Sequence, residues 1–150
     1  MYRGNRPDGL ARFLNAVAAW QFSSGLLSRE RDTTLLVEGR TSGKTVSVPV
    51  VIADYAGERY LVSMLGEDAN WVHNVRHAGG RAALKRRDVE QVSLVDLPAD
   101  ERAPILRRYL AVAPGARPHI SVDRHAPLAE FAAIADDYPV FRVQRRPKGP

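Results

Sequence analysis

Cysteine is absent from all 150 residues. That excludes disulfides, thiolate zinc sites and cysteine nucleophiles, and it suits a reducing compartment such as the cytoplasm. Long apolar runs are missing too. No stretch approaches the roughly 20 apolar residues of a membrane-spanning helix, and the N-terminus lacks the continuous apolar segment of a signal peptide. Membrane contact, if any, is expected to be peripheral. Metal-ligand patterns are scarce as well. His73 and His77 stand four apart, but no zincin glutamate and no nearby third ligand accompany them, so no metal site is expected. Neither a Gly-x-Ser-x-Gly elbow nor another nucleophile motif is present.

What remains is an ordinary globular composition, 45% apolar and 26% charged, at a length typical of one domain. The 22 basic and 17 acidic residues leave a net charge of +5. A basic excess of this kind favours anionic partners such as nucleic acid, anionic lipid or a phosphorylated cofactor. Within residues 1–30, Leu10, Phe13, Leu14, Val17 and Ala18 follow helical spacing, with Pro7 and Asp8 at the start and Gly25 at the end.

Strand signals then cluster. Residues 33–37 are rich in β-branched side chains, and across 45–52 Val46, Val48 and Val50 alternate with Thr45, Ser47 and Pro49. Pro49 has no N–H for a ladder and so belongs at a sheet edge or beside a bulge. A turn at Tyr55-Ala56-Gly57 leads to a third strand over 59–64, which reads as a meander. Residues 70–77 predict a short helix with Asn70 as cap, followed by strands at 82–85 and 89–96. A helix opening at Pro98-Ala99-Asp100 has Ile105, Leu106, Tyr109 and Leu110 on its inner face. After a loop over 113–126, Pro127 opens a helix with Leu128, Phe131, Ala132 and Ala135 at helical spacing, and residues 140–143 form a last strand. About six mainly antiparallel strands joined by short turns and flanked by helices give an α+β class with a small barrel or strongly curved sheet, in one domain.

The chemistry centres on the turn Gly39-Arg40-Thr41-Ser42-Gly43-Lys44. It resembles a nucleotide-binding P-loop but is one residue short between its first glycine and the Gly-Lys pair, and a strand follows where that motif opens a helix. A nucleoside triphosphate is therefore excluded. Arg40 as a bidentate fork, Lys44 as a point charge and the hydroxyls of Thr41 and Ser42 still suit an anion, although a solvated hairpin turn has the same composition. Arg76, Arg81, Lys85, Arg86, Arg87, Arg145, Arg146 and Lys148 form a second basic set. No aromatic-interleaved strand or recognition helix accompanies it, so it reads as a solvated face and no nucleic-acid partner is expected.

The segments EGRTSGKTVSVPV, ERYLVSMLG and NWVHNVRHAGG, in that order, resemble the deazaflavin-dependent oxidoreductase (nitroreductase) family. The resemblance continues through RYLAVAPGARPHISVD and ADDYPVFRV. It implies a split β-barrel of the flavin-reductase kind and the coenzyme F-420, a deazaflavin with a phosphate and an oligoglutamate tail. It implies that Arg40, Thr41, Ser42 and Lys44 meet the phosphate and tail, and that Val46, Ser47, Val48, Pro49 and Val50 lie along the ring. Ser63, Met64, Leu65 and Gly66 would line the opposite strand end, with Asn70, Trp71 and Asn74 closing the site. The implied reaction is hydride transfer to a quinone, nitroaromatic or activated alkene, with Tyr138, His125, His119 and Ser121 as proton-donor candidates. Thr41 stands where the family often has a cation, and Val72 where an aromatic often follows the tryptophan. Relatives of the barrel also bind FMN or serve as lipid- or haem-binding proteins. FMN is thus the alternative cofactor, and a non-catalytic lipid- or nucleic-acid-binding module the alternative role. Split barrels often pair as homodimers across a sheet face.

Overall fold

Alternating burial builds the first hairpin. In β1 (Asp32–Glu38), Thr33, Leu35 and Val37 turn inward while their neighbours are more exposed. The strand pairs over its whole length with β2 (Thr45–Val51), from Asp32 opposite Val51 to Glu38 opposite Thr45. The computed structural model describes residues 31–146. The helix expected near the N-terminus lies outside them.

Five further strands follow: β3 (Ala53–Tyr55), β4 (Glu58–Val62), β5 (Arg81–Lys85), β6 (Val89–Asp96) and β7 (Val140–Arg145). All pairings are antiparallel, and the strand order is β2-β1-β5-β6-β7-β4-β3. β2 and β3 stand at opposite ends of that order, yet only Ile52 separates them in the chain. The run from Thr45 to Tyr55 therefore leaves one edge of the sheet and joins the other, which curls the sheet into a barrel. Ile52 is buried at this crossing, and its N–H donates to the Arg31 carbonyl at 2.9 Å. Pro49 sits on the edge strand, where a missing donor costs nothing.

Two expectations are corrected here. The described residues form seven strands where about six were expected, because the three residues Ala53-Asp54-Tyr55 are too short a run to stand out from the turn behind them. The meander is also broken: β4 pairs with β3 and β7, not with β2.

Both faces of the β4 and β7 region are covered. Leu61 and Phe141 point into the barrel with Leu35, Val48, Trp71, Val72 and Val92, whereas their neighbours Tyr60, Val62 and Val140 pack beneath the helices. The apolar face of α1 (Asn70–His77), made by Trp71, Val72 and Val75, packs into the barrel core. The outer layer is α2 (Ala103–Val112) with α3 (Leu128–Ile134). Ile105, Leu106, Tyr109 and Leu110 are buried as their spacing predicts. On α3 only Phe131 is buried, while Leu128 and Ala132 remain exposed. The segment expected to start α2 is instead a 3-10 turn (Ala99–Glu101), and the α-helix begins at Ala103 with Pro104 in its first turn. Buried Arg102 ties these pieces together, its guanidinium donating to the carbonyls of Leu97 (2.8 Å) and Ala135 (2.9 Å).

Across β4, β6 and β7 runs an ion triad. Arg59 grips Glu90 with two hydrogen bonds of 2.9 and 2.7 Å, and Arg145 adds a third at 2.8 Å. The Arg59 contact, helped by Arg145, holds the Glu90 carboxyl down at about 2. A depressed carboxyl stabilises the fold above its ordinary range, near 4.5, and that contribution is lost as the pH falls toward 2. Urea midpoints measured at pH 6 and pH 3 should therefore fall more steeply for the wild type than for Glu90→Gln.

Candidate functional site

The β1–β2 turn is internally braced. The Gly39 N–H donates to the Lys44 carbonyl at 2.8 Å, and the Gly43 N–H to the Gly39 carbonyl at 2.9 Å. The Lys44 N–H reaches the Ser42 hydroxyl oxygen at 3.1 Å. Gly43 takes φ of +72°, a conformation glycine adopts without a steric penalty. Gly39 is buried in the neck of the turn, where a Cβ would lie 2.9 Å from the Ser42 hydroxyl oxygen. At the tip, residues 40–44 are exposed, and the N–H groups of Thr41 and Ser42 donate to no acceptor among the described residues. The turn thus presents two backbone donors, two hydroxyls and the Lys44 ammonium on one short exposed loop.

Arg40 does not point freely from this tip. Its Nη1 donates to Asn74 Oδ1 at 2.8 Å and to the Asn70 carbonyl at 3.3 Å, and its Nη2 donates to Asn70 Oδ1 at 3.0 Å. The Arg40 backbone N–H also reaches Asn74 Oδ1, at 3.0 Å. Asn70 and Asn74, four residues apart, share one face of α1 and together clamp the turn onto the helix. This explains why Asn70 is not the helix cap. The N-cap is Ala69, without a side-chain bond, and the Asn70 amide oxygen is turned to Arg40 instead. Sequence reasoning missed this clamp, although the i, i+4 asparagines were its visible signal. Asn74 is only 5% exposed, and Asn74→Ala removes the shared acceptor of two Arg40 hydrogen bonds. The expected cost is about 2 kcal/mol of stability, read from chemical denaturation.

The remaining expected residues divide into two groups. On β2, Val48 is buried and Val46 and Val50 pack against the barrel interior, whereas Ser47 is exposed. What β2 offers outward is therefore its backbone edge, which pairs with no other strand among the described residues. Trp71 is likewise an interior residue, its ring centroid 5.6 Å from that of Phe141 in a tilted contact. At the end of β4, the Ser63 hydroxyl donates to the Gly66 carbonyl at 2.7 Å, closing a tight turn around Met64 and Leu65. Gly66 has φ of +89°, and a Cβ there would lie 3.2 Å from the Asp137 carbonyl. The Ser63 N–H meets the Pro139 carbonyl at 3.0 Å, so residues 63–66 rest against 137–139.

Tyr138 therefore adjoins the 63–66 turn, and its hydroxyl donates to the His119 carbonyl at 3.1 Å. His125 and Ser121 lie in the exposed loop 121–127, with His125 Nε2 accepting from Arg124 Nε at 3.0 Å. No hydrogen bond links either to the turn or to α1 among the described residues. Arg76, on the opposite side of α1 from the turn, is bound by Asp96 at 3.0 and 3.1 Å and by Glu67 at 2.8 Å. Those carboxylates, Asp96 first, hold its guanidinium even more firmly protonated than usual. No group of three or more potential metal ligands occurs among the described residues, and no described helix is long and apolar enough to cross a membrane.

No family model and no curated protein matches the chain. Solved structures do. An F-420-H2-dependent reductase (FDR-A) superposes with a TM-score of 0.53 at 21% identity, over 79% of this chain and 97% of that one. The fold is a split β-barrel. A structure described as a domain-swapped dimer aligns with a TM-score of 0.52 at 20% identity, over 93% of this chain and all of the other. A FAD-binding protein from Mesorhizobium loti aligns at 0.50 and 15% identity, over 85% and 89% of the two chains. At such identities the likeness establishes the split barrel and nothing finer.

Proposed function

We propose that this split barrel is an oxidoreductase that holds the deazaflavin coenzyme F-420 along the β1–β2 turn and the β2 edge. The observation that carries the reading is the clamped turn. Its exposed tip gathers unpaired backbone donors, two hydroxyls and a cation, and Arg40 fixes it against α1 through Asn70 and Asn74. A phosphate with an acidic tail requires that chemistry: preorganised N–H donors and positive charge on a loop that need not rearrange. The family resemblance of the sequence and the likeness to an F-420-H2-dependent reductase support the same ligand.

In this reading Lys44 supplies charge, Thr41 and Ser42 supply hydrogen bonds, and Arg40 positions the turn while adding its field. The open backbone edge of β2 runs beside the ring, and the 63–66 turn bounds its far end. When bound in reduced form, the coenzyme supplies a hydride, which leaves the protein to bind, orient and deliver a proton. Tyr138 is the donor candidate placed against that turn. The acceptor is a planar electrophile: a quinone, a nitroaromatic or an activated alkene.

FMN is the second reading, favoured by the likeness to a FAD-binding barrel and by a tip that suits any single phosphate. The test is to mix the full chain with reduced deazaflavin and a soluble quinone and follow coenzyme reoxidation by absorbance. Catalysed turnover is expected. Turnover with reduced FMN alone would transfer the assignment to the flavin reading.

A further inference from the structure

The end of the barrel opposite the 39–44 turn has no role in the reading above. An open cleft of about 1170 Å³ lies there, where the start of β1, the β5–β6 turn and the end of β7 converge. The seven residues of β1 separate it from the turn by about 20 Å. Among the described residues six arginines line it, Arg31, Arg59, Arg86, Arg87, Arg145 and Arg146, against three carboxylates, Asp54, Asp88 and Glu90. Arg76 and Arg81, which belong to the same basic set in sequence, do not line it.

The pairing inside the cleft is uneven. Glu90 alone answers both Arg59 and Arg145, and Asp54 answers Arg31 at 3.0 Å while also accepting from Arg108 on α2. Arg146 is turned to the Val92 carbonyl and the Gln91 amide oxygen, neither of which carries charge. Arg86 and Arg87 sit at the exposed β5–β6 turn and make no side-chain hydrogen bond among the described residues, although Asp32 lies within electrostatic range of Arg86. Two guanidinium forks with open donors thus project beside a concave wall whose positive charge exceeds its negative. A cleft walled by low-dielectric protein focuses that field, and guanidinium forks match phosphate oxygens in pairs. Among the described residues the apolar lining comes from Ile52, Leu84 and Val89, with no aromatic ring to stack a base or a flavin.

We propose that this cleft is a second anion site, which takes a small molecule bearing a diphosphate on an aliphatic or sugar body. Arg86 and Arg87 grip the diphosphate, and the Ile52-Leu84-Val89 wall meets the body. The site acts independently of the cofactor turn.

The experiment is calorimetric titration of the full 150-residue chain with inorganic pyrophosphate, repeated with Arg86→Gln/Arg87→Gln, with Arg87→Glu and with Lys44→Gln. The cleft should saturate with equal affinity in the wild type and in Lys44→Gln, which weakens only whatever pyrophosphate the cofactor turn takes up. Both arginine variants, whose changes are at exposed turn positions, should melt like the wild type and bind about tenfold more weakly or worse. Absence of saturable binding to the wild type at millimolar pyrophosphate overturns the proposal. So does unchanged affinity in the arginine variants, or a loss of cleft binding caused by Lys44→Gln. Displacement of pyrophosphate by a short single-stranded oligonucleotide at far lower concentration also overturns it, since the cleft would then be a nucleic-acid groove.

Discussion

Replacing Arg40 and Lys44 together by alanine should weaken binding of coenzyme F-420 about 100-fold, measured by fluorescence titration. Charge-assisted hydrogen bonds contribute about 1.5–3 kcal/mol each, so losing two suffices for that factor. The two residues fail for different reasons. Lys44 has no internal side-chain partner among the described residues, so Lys44→Ala removes charge at the tip and leaves the turn in place. Arg40 holds the turn to Asn70 and Asn74, so Arg40→Ala loosens the tip as well as lowering its charge. Arg40→Lys keeps the charge without the fork that spans both asparagines, and is expected to behave more like Arg40→Ala than like the wild type. An unaltered affinity in the double variant would place the phosphate elsewhere on the barrel.

Gly80→Ala should cost about 3 kcal/mol, read as a fall of roughly 10 °C in Tm. Gly80 lies between α1 and β5 with φ of +87°, a conformation an alanine side chain opposes. A Cβ there would stand 2.6 Å from the Leu94 carbonyl oxygen, which is backbone and part of β6. The two backbones are stitched at that point by the Leu94 N–H donating to the Gly80 carbonyl at 2.7 Å. Neither side can withdraw without opening the sheet. Gly79→Ala is the control, because its Cβ would meet nothing within 4 Å and only the φ of +67° opposes it. It should lose about 1 kcal/mol. Equal losses at the two positions would show that the steric contact with β6 is not the cause.

Much of the fold was legible because local patterns and tertiary burial agree. The alternation of Val46, Val48 and Val50, the edge requirement of Pro49 and the helical face of Ile105, Leu106, Tyr109 and Leu110 all reappear in the structure. Strand order was not legible. Nothing in Thr45 to Tyr55 announces that the chain bends at Ile52 from one edge of the sheet to the other, since that choice is made by barrel closure rather than by local preference. The basic, hydroxyl-rich composition of the 39–44 turn could be read from its residues. Its anchoring could not, because Arg40 and its asparagine partners are 30 and 34 residues apart. The arginine cleft is the extreme case: its cations come from four separated chain segments and converge only when β1, β4, the β5–β6 turn and β7 curl together. In sequence Arg86, Arg87, Arg145 and Arg146 read as part of a solvated face, and Arg31 and Arg59 stood out not at all.

The most direct measurement is titration of the purified full chain with coenzyme F-420 and, separately, with FMN, each followed by fluorescence. Saturable deazaflavin binding in the micromolar range, at least tenfold tighter than FMN and lost in the Arg40→Ala/Lys44→Ala variant, is the predicted result. Tight FMN binding with no saturable response to the deazaflavin would contradict the account.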